Sequence, residues 1–147
     1  MIRRPVPWAA LGAISLGGTL GALARYGLTV AFPDAPRGFP WATFVVNASG
    51  CLLIGVLMVL VADVWSGRRL VRPLLGTGLL GGYTTFSTYA VDVHRLVREG
   101  ASSTAAVYLL GTLAAAVVAV YAGSAGTRVV LAWWAGRPKG SEERVCQ

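Results

Sequence analysis

Apolar and polar positions alternate along this chain on a long scale, giving four apolar runs separated by short polar punctuation. The first runs from about Trp8 to Phe32 and holds one charge, Arg25; the second, Trp41 to Ala62, holds none. The third, Leu74 to Val91, is shorter and rich in Gly, Thr and Ser, and the fourth, about Ala101 to Thr127, is again uncharged. A hydrocarbon core of about 30 Å takes roughly 20 apolar residues as helix, so each run is close to one crossing. Pro33, Pro36, Gly38 and Pro40 mark one connection, and Ser66, Gly67, Arg68, Arg69 and Pro73 the next. The pattern predicts a single all-α integral membrane domain over 1–147 with four transmembrane helices at 8–32, 41–62, 74–91 and 101–127. A polar, amphipathic tail over 128–147, with Trp133, Trp134, Arg137 and Lys139, is expected at headgroup depth.

Arg3 and Arg4 before an apolar stretch also open a secretory leader, but a leader's apolar core runs about 7–15 residues. This run is longer, so the first span is expected to stay.

Composition agrees: 55% hydrophobic and 13% charged, with mean hydropathy +0.63, lies outside the usual soluble range. A net charge of +7 raises nucleic acid as a partner, yet the basic residues flank the apolar runs, where topology accounts for them and no nucleic acid is expected. With four crossings, one side holds Arg3, Arg4, Arg68, Arg69, Arg72, Arg128, Arg137, Lys139 and Arg144, and the other Arg37, Arg95 and Arg98. The positive-inside rule then puts both termini in the cytoplasm of a multi-pass cell-membrane protein. Cys51 lies inside the second run and Cys146 near the end of the chain, a placement that suits neither a disulfide nor a metal site.

Ionisable groups at membrane depth are costly and point to function. Arg25 is the one such group well inside a run; Asp92 sits at the edge of the third, which disfavours a proton-coupled exporter. Arg25 has two readings, a side chain snorkelling to the interface and an electropositive vestibule that gathers anions. His94, Arg95 and Arg98 read as a solvated loop. Thr43 and Asn47, four apart, share one helical face and offer a hydroxyl and an amide NH2 in one direction. Glue between helices is the plain reading, and an anion-facing donor stripe the functional one.

The third run reads GTGLLGGYTTFSTY over 76–89. Its GTGLLG is no dinucleotide fingerprint, since no βαβ unit surrounds it. Paired glycines and a Thr/Ser run favour an interrupted helix, tolerated at membrane depth only where backbone lines a cavity or meets protein. Freed carbonyls there suit a cation, and freed N–H groups an anion.

With Gly17, Gly18, Gly21, Ala22, Arg25 and Tyr26 in the first run, Thr43, Val46, Asn47 and Gly50 in the second, and GGYTTFST over 81–88, the chain resembles the Fluc (CrcB) fluoride channels across all four runs. The resemblance implies an antiparallel, dual-topology dimer with two fluoride pathways and a structural sodium ion on the carbonyls of Gly81 and Thr84. It implies Asn47 and Phe86 on the pathway, with Thr43, Ser87, Tyr108 and Thr112 as a hydroxyl track. The physics is consistent: fluoride leaves water only where donors replace its shell, and a phenylalanine ring offers an anion a positive edge.

Three positions depart from the family pattern. Tyr89 stands where a second phenylalanine is usual, Asp92 where a glutamate is, and Thr112 where a serine is frequent. Tyr89 brings a hydroxyl to the rim of one pathway. With the charge bias, it suggests a subunit of fixed orientation that pairs with an oppositely oriented homologue and has unequal pathways; a homodimer is the other pairing the resemblance allows. A fluoride-exporting channel subunit is the leading expectation, against a non-conducting structural partner or a small proton-coupled exporter.

Overall fold

The computed structural model describes residues 7–33, 35 and 37–135, and among them every regular element is helical. Helix α1 covers Trp8–Ala31 and α2 covers Trp41–Asp63. Next comes α3, a wide-turned π-helical stretch, Arg72–Leu80, closed by one α turn, Gly81–Tyr83. Thr84 and Thr85 are extended, α4 runs Phe86–Arg98, and α5 runs Ser102–Ala135. At the end of α4, Gly100 takes φ 78, the left-handed conformation that lets a helix stop.

Two helices, Trp41–Asp63 and Ser102–Ala135, with mean hydropathies of 2.5 and 2.1, are long and apolar enough to cross a membrane. The expected fourth run ends at Thr127, but the helix continues through Arg128 and both tryptophans to Ala135. At 1.5 Å per residue its 34 residues span about 50 Å. Arg3, Arg4, Cys146 and the rest of the expected tail, 136–147, lie outside the described residues. The stretch 94–98, expected as a solvated loop, is helical: it continues the amphipathic face of α4, and Leu96 on it is fully buried.

Large apolar side chains face outward in number, among them Leu16, Leu20, Leu23, Leu110, Val117 and Val118. Inside, Tyr89, Leu96, Ala105 and Tyr108 form an apolar cluster, and the closest helix contacts are made by glycine. A Cβ on Gly17 would strike the backbone of Leu74 and Leu79, and one on Gly21 the backbone of Leu79 and Tyr83, so α1 lies directly on α3. Across the molecule, Gly55 of α2 meets Val120 and Ser124, and Gly123 of α5 meets Leu52 and Val56. Without a hydrophobic drive between helices in lipid, this close approach of backbones is what packing can use. The π-helical turn suits the same seam, because Pro73 has no N–H to give and Gly78 lets α1 come in against Ile14 and Gly17.

Charged groups sit at opposite ends of the bundle. The Arg37 backbone N–H donates to Glu99 Oε2 at 3.1 Å, joining the α1–α2 and α4–α5 connections. At the other end Asp63 and Arg128 line one crevice between α2 and α5.

Candidate functional site

The interruption between α3 and α4 is built by three side chains. Thr85 caps α4: its Oγ1 accepts from the Thr88 N–H at 3.1 Å. Asn47, reaching from α2, clamps the same residue twice. Its Nδ2 donates to the Thr85 carbonyl at 2.8 Å, and its Oδ1 accepts the Thr85 N–H at 2.9 Å. Thr84 is held back to α3 through its N–H and hydroxyl, both donating to the Leu80 carbonyl. A continuous helix would return the Thr85 N–H to the Gly81 carbonyl; here it is turned to Asn47 instead. On the α1 side, Arg25 Nε donates to the Gly82 carbonyl at 3.3 Å, placing a guanidinium at the C-terminal end of α3.

Beside the interruption opens a depression of about 330 Å³. Its walls include Asn47, Gly81, Thr84, Phe86, Tyr89 and Thr112, six of the residues singled out from sequence. Phe86 is 78% exposed, its ring centroid 5.8 Å from that of Tyr89. Ser87 is exposed at the start of α4, its hydroxyl 3.3 Å from Thr85 Oγ1. Thr112 is buried, and among the described residues its hydroxyl has no hydrogen-bond partner. An unmatched buried hydroxyl costs about 1–3 kcal/mol, so its place in the wall of an open cavity calls for a reason.

Thr43 and Tyr108 lie elsewhere, behind this wall. Both are buried, and both donate to one carboxylate: Thr43 Oγ1 to Asp92 Oδ2 at 2.9 Å, and the Tyr108 hydroxyl to the same oxygen at 3.4 Å. Arg95 Nη2 stands 3.7 Å from Asp92 Oδ1, one turn along α4. Asp92 is thus the hub of a buried polar cluster, whereas the sequence places it at the edge of the third run, in the position of a family glutamate. The missed signal is spacing: Tyr89, Asp92 and Leu96 share a face of α4, and all three are buried. The Thr43–Asn47 stripe does join helices, Thr43 to α4 and Asn47 to the interruption.

The arrangement offers donors and an aromatic ring at an open cavity, with a carboxylate behind them sequestered by its own donors. Residues 12–124 match the family described as CrcB-like protein, Camphor Resistance (CrcB). A fluoride-specific ion channel, FluC 2, of Nocardia farcinica is 52% identical over 124 residues, 84% of this chain and 89% of that protein. FluC 1 of Streptomyces coelicolor, also named a fluoride-specific ion channel, is 50% identical over 120 residues, 82% of this chain and 78% of that one. FluC 2 of Streptomyces avermitilis, of the same name, is 55% identical over 100 residues, 68% of this chain and 63% of its own. With most of its length matched both by the family and by these relatives, the chain belongs to the CrcB-like family.

Proposed function

We propose that this chain is a subunit of a fluoride-selective channel that lets fluoride leave the cell passively across the cell membrane. The names of its relatives point to fluoride. The observation that carries the reading within the chain is the Thr112 hydroxyl, buried and unmatched in a wall shared with the Asn47 amide and the Phe86 ring. A hydroxyl and an amide N–H can replace part of a small anion's water shell, and the ring edge adds positive potential without adding an acceptor. The second Asn47 N–H remains for such a role, since Nδ2 carries two and the clamp on Thr85 takes one.

On this reading the chain is multi-pass with both termini in the cytoplasm, and the interruption between α3 and α4 lies at membrane depth. Two subunits pair antiparallel, either two copies or one copy with an oppositely oriented homologue, embedded in lipid. A structural sodium ion suits the interruption. Carbonyl oxygens are hard neutral ligands, and those of Gly81 and Thr84 flank the point where the Thr85 N–H is diverted and the backbone turns extended. Arg25, beside the Gly82 carbonyl, adds positive potential at the approach.

The test is efflux from liposomes holding only the purified chain. Fluoride leaves quickly and chloride does not, and Asn47→Ala and Phe86→Ile abolish the fluoride flux. No fluoride flux from a correctly folded wild-type chain would overturn the reading of a self-sufficient channel and point to an obligate partner.

A further inference from the structure

Tyr89 raised the question of what a hydroxyl does at the rim of a pathway. Its surroundings answer it. The side chain is buried, 6% exposed, and its hydroxyl crosses to α5, donating to the Leu109 carbonyl at 2.8 Å. A phenol has one proton, so this bond leaves none for an anion in the depression. The ring sits between two others, 5.8 Å from Phe86 and 5.2 Å from Tyr108, and Tyr108 in turn meets Phe39 edge-on at 5.2 Å. Among the described residues Tyr89 is the one ring that Phe86 meets, and Phe86 is otherwise largely exposed. The angle at which Phe86 stands is therefore set by an aromatic wall whose middle member is fastened to the next helix.

We propose that Tyr89 is a positioning residue: its hydroxyl fastens the first turn of α4 to α5 through the Leu109 carbonyl, and its ring holds the Phe86 ring in place at the cavity. The tyrosine then acts as a phenylalanine with an anchor. Its hydroxyl stays out of the ion's path and gives no cause for unequal pathways. The ion's path belongs to the fluoride reading above; the anchor and the ring contact do not depend on it.

Two variants separate ring from anchor. Tyr89→Phe keeps the ring and removes the anchor; Tyr89→Leu removes both. Hydrogen exchange of the amides in the first turn of α4 rises about fivefold in Tyr89→Phe, the effect of losing one hydrogen bond. Fluorine NMR of para-fluorophenylalanine incorporated at position 86 keeps the wild-type line in Tyr89→Phe, whereas in Tyr89→Leu the line shifts or splits. In liposomes, Tyr89→Leu loses more of its fluoride flux than Tyr89→Phe. Unchanged exchange in Tyr89→Phe, or fluoride efflux lost in that variant as fully as in Tyr89→Leu, would overturn the proposal. If the wild type alone carries no fluoride, the self-sufficient reading fails and the exchange and NMR arms still decide. If Tyr89→Leu does not fold, Tyr89→Phe decides alone: faster exchange with an unmoved line supports the anchor, and any other result rejects it.

Discussion

Thr43 and Thr112 carry the same side chain in opposite circumstances, and the contrast can be measured. Thr43 donates to a buried carboxylate at 2.9 Å, whereas the buried Thr112 hydroxyl has no partner among the described residues. Thr43→Val withdraws a donor from Asp92 and should destabilise the protein by about 1–3 kcal/mol. Thr112→Val removes an unmatched hydroxyl at nearly constant shape and should leave stability unchanged or slightly raised. On the proposed channel reading fluoride flux should fall in Thr112→Val all the same, because the variant removes a donor from the wall of the depression. Thermal unfolding in detergent beside liposome efflux reads both quantities, and a Thr112→Val variant that is strongly destabilised would mean the hydroxyl serves the fold. At this scale the sequence was informative about residue type and weak about partner. Asn47, Phe86 and Thr112 were marked as candidates, but that Thr43 and Tyr108 converge on Asp92 depends on where α4 sits against α2 and α5.

Among the elements, the seam between α1 and α3 rests on glycine. A methyl group at Gly17 would meet the backbone of Leu74 and Leu79, and no side-chain rotation relieves a backbone clash. At Gly27, on the same helix, a Cβ would meet nothing within 4 Å. Gly17→Ala is therefore expected to prevent a stable fold. Gly27→Ala should be tolerated, even stabilising by up to about 1 kcal/mol, since alanine is the better helix former. The yield of monodisperse protein and its melting point check the pair; a well-behaved Gly17→Ala variant would show that α1 can lift away from α3. The all-helical character was legible from the apolar runs, and two of the helices are long and apolar enough to cross a membrane. The π-helical character of Arg72–Leu80 was not, because it reflects how closely α1 presses on that stretch.

For the molecule as a whole, large apolar side chains cover the outside of the described residues, while inside glycines and the Thr43–Asp92 group meet beside an apolar cluster of Tyr89, Leu96, Ala105 and Tyr108. Such a surface suits lipid, and the side on which it inserts is a question of charge. Arg68, Arg69, Arg72 and Arg128 share one end of the bundle, opposite the joined connections of Arg37 and Glu99. The bias predicts one prevailing orientation with both termini cytoplasmic. Reporters fused at each terminus in turn would read it, and equal populations in both orientations would reject a fixed topology. If orientation is fixed, pairing in antiparallel fashion requires an oppositely inserted homologue; if it is mixed, one chain suffices.

Sequence alone determined the class of the molecule, because the length and polarity of a run settle whether it can cross a hydrocarbon core, whatever its neighbours do. It also marked the residues able to face an anion, because donor chemistry belongs to the side chain. Tertiary structure decided which of those donors are already taken. The Asn47 amide is half engaged by Thr85, the Thr43 and Tyr108 hydroxyls by Asp92, and the Tyr89 hydroxyl by Leu109, while Thr112 alone of these is left unmatched. Each of these hydrogen bonds joins groups 16 to 49 positions apart in this chain, and no local pattern encodes them.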